Sequence, residues 1–410
     1  MPQDLENKAL SKNFATATRQ WQITLPRILP STAFLLALSL AGCGSGSGSS
    51  GGGSGGTGSG GTGSGGTGSG GTGSGGTGSN VYMAGDTSDA TGTYTIATYW
   101  KNGTATNLSA IASYADANAI AVDSSGNAYV AGDIYNLPTQ QNIATYWKYG
   151  AATFLTDGTT SAYAYAIAVD GSGNVYVAGE TDDAATNNPV ATYWKNGTAT
   201  NLTDGSLFAV AHAITIDSNG NVYVAGSTTN ASASGLSPNT ATYWKNGAAT
   251  NLTDGTSYGG AFAITVDSSG NVYVAGITSS ATTGATIATY WKNGVATNLT
   301  DGSTNATANA ITVDGSGNVY VAGAIASASN NADNVATYWK NSVSTSLTDG
   351  SSDAVATAIA VDSSGDVYVA GDTTSPSNYS IATYWKNGTA TNLTDGTGNA
   401  YVDAIAMSNH

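Results

Sequence analysis

Between residues 80 and 410, short apolar runs alternate with clusters of Gly, Asn, Asp and Ser, and the whole alternation repeats. Residues 166–205 contain one unit. The run "AIAVD" is turned by "GSG" into "NVYVAG", a variable stretch leads to "ATYWK", and "NGTA" leads to "TNLT", which ends at "DG". Each run is short, rich in β-branched and aromatic residues, and bounded by turn formers, so each predicts a strand. The segment "NVYVAG" or a near variant begins at Asn80, Asn127, Asn174, Asn221, Asn271, Asn318 and Asp366, at spacings of 47, 47, 47, 50, 47 and 48. A repeat of that length holding four strands must be understood before any single motif in it.

Four-stranded units that cannot bury both faces alone can do so by packing around an axis, as the blades of a β-propeller do. The repeat opens at Asn80 with a second strand and closes at "AIAMSNH" (404–410), a first strand with nothing after it. Complementary ends of this kind predict a closed ring, whereas an open array would need polar caps. The expectation is an all-β, seven-bladed propeller over 80–410, its ring closed by the C-terminal strand pairing into the N-terminal blade.

With the first strand innermost and directions alternating, the loop from second to third strand shares a rim with the connection from fourth strand to next blade. All the length variation falls in the former, as in 86–96 (11 residues), 227–240 (14), 324–335 (12) and 372–381 (10). A second variable site is the residue just before the first-strand Ala: Asn118, Tyr165, His212, Phe262, Asn309, Thr357 and Asp403 in turn. These seven are the candidate ligand rim, because variation on one face of a rigid scaffold is the layout of a binding face. Drift in exposed loops is the alternative.

The repeated residues are expected to be structural. Trp100, Trp147, Trp194, Trp244, Trp291, Trp339 and Trp385 supply large apolar area where every blade needs it, between blades. Their functional alternative is a set of sugar-stacking platforms. The Lys after each Trp is expected to pair with an Asp or lie along a Tyr ring, the alternative being an acidic polysaccharide ligand. The Asp of "VDSSGN" (Asp123, Asp170, Asp217, Asp267, Asp314, Asp362) is placed to accept a backbone N–H two residues on. Its loop slightly resembles a calcium loop but lacks the frame and distal Glu of an EF-hand. No other cofactor is expected.

Residues 1–79 lie outside the strand repeat. A basic stretch through Arg27 precedes the apolar run "ILPSTAFLLALSLAG", which has the length of a secretory h-region, and the one cysteine, Cys43, follows directly. "LAGC" resembles the bacterial lipobox, which implies residues 1–42 as a lipoprotein signal peptide and Cys43 as the lipidated residue. Residues 44–79 carry no apolar side chain and predict, with Cys43, a flexible linker spanning roughly 30 to 36 Å. Gly44 after the cysteine favours, by that resemblance, export to the outer membrane or cell surface, with the membrane as partner through the anchor.

The formal charge is −15, but Lys8, Lys12, Arg19 and Arg27 lie near the N-terminus. From Cys43 onward seven Lys and no Arg face 23 Asp and one Glu, Glu180, a net of −17. That balance argues against nucleic acid as partner, since phosphate binding needs clustered Lys and Arg. Beyond Cys43 there are two histidines, His212 and His410, too few for a repeated triad or metal cluster. A carboxylate-only site using Asp403, Asp182 or Asp183 is the one catalytic option the sequence leaves.

"AIAVDSSGNVYVAG" resembles the bacterial SBBP-type β-propeller repeat and, more distantly, the NHL repeat. "YWKNG" is similar to repeats of secreted bacterial proteins with no assigned activity. The resemblance implies the fold and does not select among functions, since propellers host enzymes, lectins and scaffolds. The expected function is a monomeric, non-enzymatic envelope scaffold that binds a glycan or envelope protein through its variable face. The alternatives are a polysaccharide lyase or hydrolase with a site at the mouth of the ring, and a structural spacer.

Overall fold

The structure is a computed structural model that describes residues 80–89, 91–109, 114–229, 239–327 and 333–408. It contains seven four-stranded antiparallel sheets. Blade 1 pairs the last strand, Ala400–Ser408, with Asn80–Ser88, followed by Thr95–Lys101 and Thr104–Asn107. Blades 2 to 7 follow in order, with inner strands Ala115–Val122, Ala162–Val169, Ala209–Ile216, Gly259–Val266, Ala306–Val313 and Ala354–Val361. Each inner strand touches those of the two flanking blades, and Ala400–Ser408 touches both its neighbours, so the seven inner strands ring one axis. The chain is a seven-bladed β-propeller closed by its own C-terminal strand.

Side-chain size follows distance from the axis. Inner strands crowd together and are built from Ala around one Ile or Val, as in Ala119, Ile120 and Ala121, all buried. Third strands bury Ala, Thr and Trp, and each of the seven Trp is 1% exposed. These Trp pack between blades. Trp147 of blade 2 clusters with Tyr82 and Ala84 of blade 1, and Trp385 of blade 7 with Tyr320 and Ala322 of blade 6. Burial this complete leaves no indole face for a sugar to stack on. Outer strands such as Thr198–Asn201 are exposed and held by edge pairing, in a Thr-rich sequence suited to it.

The turns on the constant rim use side-chain caps. Asp170 Oδ1 accepts the N–H groups of Ser172 and Asn174, while its Oδ2 accepts from Asn174 Nδ2 and Tyr176 Oη. Both oxygens are therefore occupied by the turn. Blade 1 has no such turn because the ring opens there, and Tyr82 Oη donates instead to the carbonyl of Gly126 in blade 2. In "KNG", Asn196 and Gly197 have φ of 49° and 83°, the hairpin geometry with two positive φ values. Asn196 Oδ1 accepts from the N–H of Val175, and its Nδ2 donates to Asn174. Each Lys that follows a Trp lies over the Tyr ring of the second strand, with Nζ 4.8–5.0 Å from the ring centre.

Two boundaries differ from expectation. Inner strands begin four residues earlier than the "AIAVD" run, and second strands run beyond "VAG", to Ser88, Asn136 and Asp182 in the first three blades. The cause is a bulge in every inner strand. In blade 2, Ala117 and Ala119 pair with consecutive residues, Gly132 and Ala131, so Asn118 is the extra residue. A Cβ on Gly132 would lie 1.8 Å from the carbonyl oxygen of Asp116, and the matching Gly of every other blade is as tightly faced by backbone. The Gly of "VAG" is a point of close backbone approach and not a strand end.

Candidate functional site

The seven residues expected on the rim, Asn118, Tyr165, His212, Phe262, Asn309, Thr357 and Asp403, are the bulge residues. They lie inside the inner strands, buried or nearly so, and not in the connection ahead of them. This corrects their placement. A bulge turns one side chain out of the regular alternation, so it can vary without disturbing the sheet.

Going round the ring, the bulge residues touch one another's blades. Asn118 Nδ2 donates to the carbonyl of Ala164, Asn309 Nδ2 to that of Ala356, and Thr357 Oγ1 to that of Val402. Each acceptor is the residue just before the next blade's bulge. In blades 3 to 5 aromatic contacts replace these bonds. The Tyr165 ring centre lies 6.1 Å from that of His212, and His212 meets Phe262 edge-on at 5.7 Å. Burial without a partner charge pushes His212 down to about 4.

Two further variable positions join this tier, and sequence reasoning missed both. One is the inner-strand residue two before the bulge: Tyr401, Asp116, Tyr163, Val210, Gly260, Thr307 and Val355 in blades 1 to 7. The other lies directly opposite it on the second strand, after "VAG": Asp86, Asp133, Glu180, Ser227, Ile277, Ala324 and Asp372. The signal was present, because these residues differ among otherwise near-identical copies. Asp86, Ser227, Ala324 and Asp372, which the sequence places at the start of the variable loop, are strand residues.

The tier is polarised. Acids occupy the second-strand position on four consecutive blades, Asp372, Asp86, Asp133 and Glu180 in blades 7, 1, 2 and 3, joined by Asp403 and Asp116. The other blades present Ser227, Ile277 and Ala324 with His212 and Phe262. Asp86 Oδ1 accepts the N–H of Ala117, the residue after Asp116, across the blade boundary at 2.8 Å. Asp116 pairs with Asp133 across the ladder. Burial, then repulsion from Asp116, holds Asp86 and Asp133 well above the usual carboxylate range, while burial takes Asp116 to about 6. Burial, then the charges of Asp372 and Asp116, raises Asp403 well above that range.

Glu180 ends the acidic arc. It is 8% exposed, accepts from Tyr165 Oη at 3.0 Å, and burial takes it to about 8. Its Oε2 has no hydrogen-bond partner, nor has Oδ1 of the fully buried Asn118, whose Nδ2 contacts Asp133 at 3.3 Å. Tyr163 stacks on Tyr165, 6.0 Å between ring centres and 5° from parallel. Of the carboxylates the sequence left open, Asp403 is in the tier and Asp182 is at the end of a second strand, raised by burial. Asp183 is in an exposed loop, where its Oδ1 accepts the N–H groups of Ala185 and Thr186. His410 and Cys43 lie outside the described residues. Among the described residues no three His, Cys, Asp or Glu are placed to hold a metal ion.

Fold and site together define a β-propeller with a two-sided tier, acidic on one side and aromatic on the other, inside its inner strands. The family model of the SBBP β-propeller repeat matches residues 108–137, 153–184, 210–232 and 346–379, so these four segments of the ring are SBBP repeats. No curated protein matches it. Among solved structures it is similar to a puromycin-hydrolysing peptidase from Mycobacterium tuberculosis, with TM-score 0.50 and 14% identity, over 77% of this chain and 52% of that one. It is also similar to the β-propeller domain of the Trilobed protease from Pyrococcus furiosus, with TM-score 0.49 and 9% identity, over 78% and 96%. An ulvan lyase, a polysaccharide lyase, matches with TM-score 0.43 and 9% identity, over 70% and 81%. The chain spans about half the length of the peptidase, and likeness at these identities reaches no further than the fold.

Proposed function

We propose that this is a non-enzymatic binding propeller of the bacterial cell envelope, which takes a glycan or protein ligand at its variable-loop face. Residues 1–42 direct its export, Cys43 carries the lipid anchor, and 44–79 hold the ring off the membrane. One observation carries the binding reading: near-identical repeats diverge together at three mutually adjacent positions per blade, which form one polarised tier. Random drift would spread changes over both rims. The test is a glycan array and an envelope pull-down with the full chain, repeated with Tyr165→Ala and Asp116→Asn. Retained ligand that both substitutions weaken supports the proposal. Absence of any ligand would leave a structural spacer. Loss of a palmitate label in Cys43→Ser checks the anchor.

One observation favours a second reading, a polysaccharide-active enzyme. Glu180, raised to about 8, is bonded to Tyr165, which neighbours His212, a grouping able to exchange a proton near neutral pH. Turnover of a polysaccharide that Glu180→Gln abolishes would establish it.

A further inference from the structure

Six buried or half-buried carboxylates in one arc are costly to keep without a counter-charge. None is supplied from within. All seven Lys of the ring follow the Trp of a third strand and lie over Tyr rings at the opposite rim. Asp116 faces Asp133 across the ladder, and Asp86 accepts the N–H of Ala117, the residue after Asp116, so three carboxylates are gathered at the boundary of blades 1 and 2. Glu180 Oε2 and Asn118 Oδ1 are acceptors shut off from water with nothing donating to them. The arc thus has more acceptors than donors, and what would complete it is a group that carries several N–H donors and a positive charge.

The geometry points to a site for an alkylammonium group: the cation seated among Asp86, Asp116 and Asp133, and its apolar stem laid along the stacked rings of Tyr163 and Tyr165. The site rests on the ligand-binding reading above and names the ligand's chemistry. An ammonium fits better than a divalent ion, because among the described residues no three ligating side chains converge at metal distance. Its three donors can bridge carboxylates on neighbouring blades, and a stem along aromatic faces gains cation–π and apolar contact that a hydrated metal does not. The same chemistry is offered by a free aliphatic diamine and by a lysine side chain of a partner.

The test is isothermal titration calorimetry on the full chain with cadaverine, N-acetyl-lysine amide, calcium chloride and, as neutral control, pentanol. We expect saturable binding of both amines and none of pentanol. Asp116→Asn combined with Asp133→Asn should weaken it by roughly tenfold to a hundredfold, the loss of charge-assisted hydrogen bonds. These substitutions relieve repulsion, so the melting temperature of the unliganded variant should rise. Tighter binding of the lysine derivative would identify a protein side chain as the source, and tighter binding of cadaverine a free diamine. Binding of calcium alone, or amine binding unchanged in the double variant, would overturn the site. Amines that fail to bind while a neutral glycan is retained by Tyr165 would overturn it too, leaving the general binding reading intact. Failure of every ligand would sink both.

Discussion

The Cα of Gly132 faces the backbone carbonyl of Asp116 so closely that a methyl group there would come within 1.8 Å of the oxygen. This approach lets Asn118 leave the ladder and enter the functional tier. Replacing Gly132 with Ala forces the inner strand away and should cost roughly 3 kcal/mol, as overpacking does. Gly103→Ala is the comparison, since that position has open space around it and requires only φ of 82°. Its cost should stay near 1 kcal/mol. Denaturant unfolding of both variants measures the difference, and equal losses would mean that close approach does not set the requirement.

The seven Trp fill the spaces between blades, and their contacts reach the preceding blade. Trp194→Ala should cost about 3 to 5 kcal/mol and broaden unfolding, because a cavity opens between two blades at once. Ligand affinity of the folded fraction should not change. A variant that stayed as stable as the parent but lost a glycan ligand would show that the indole is a binding surface.

Stability should fall from mildly acidic to mildly alkaline pH. Glu180 holds its proton more tightly when folded, with burial taking it to about 8, than when unfolded, where it titrates at its ordinary 4.5. Below the lower value both forms are protonated and burial carries no penalty. As pH rises between the two, the unfolded state ionises first and the folded state loses relative stability. Asp116 and Asp372, raised to about 6 and about 7, act in the same direction. The turn aspartates act oppositely. In Asp170 the effect of burial is outweighed by hydrogen bonds from Asn174, Ser172 and Tyr176, which lowers its pKa, so its contribution is lost only as pH falls below the usual carboxylate value. Melting should therefore peak near pH 5, and Glu180→Gln should gain a few kcal/mol (roughly) at pH 8 and flatten the curve. A profile flat from mildly acidic to mildly alkaline pH would contradict the raised acids.

The fold was legible because a period of about 47 residues and unmatched end strands are global features that local errors cannot erase. The site was half legible. Variation singled out Asn118 and its six equivalents, but an Ala-rich inner strand offers no apolar alternation to mark its start, and a bulge breaks the two-residue period where it would be needed. Asp86, Asp133 and Glu180 were hidden for a related reason. They follow a Gly, which in sequence reads as the end of a strand, and only the backbone carbonyl opposite reveals it as a contact. The electrostatic polarity of the tier could not be read before blades 7 and 1 were known to be neighbours, since Asp372 and Asp86 are far apart along the chain.

One hairpin departs from its copies. Blade 6 has Asn341–Ser342 where the other blades have Gly second, and Ser342 has φ of 67°. A residue with a Cβ is strained there, so Ser342→Gly should stabilise by roughly 0.5 to 1 kcal/mol, the relief being partly offset by the greater freedom of Gly in the unfolded chain. A melting temperature unchanged or lowered would show that Ser342 gains something compensating in that turn.

Ring closure gives the last prediction. Ile405 is fully buried and pairs with Met83, joining segments more than 300 residues apart. Within a complete blade the same position is Ile359, also fully buried, and its partner Val369 is close in sequence. Ile→Ala at either site should remove about 2 to 5 kcal/mol of packing, so equilibrium stabilities should be similar. Kinetics should separate them. The contact of Ile405 forms only after the two ends meet, a late event burdened by loop closure, whereas the Ile359 hairpin closes locally. Ile359→Ala should therefore slow refolding, and Ile405→Ala should mainly speed unfolding. Stopped-flow measurement of both arms decides it, and slowed refolding in Ile405→Ala would mean that the ring closes before its blades are complete.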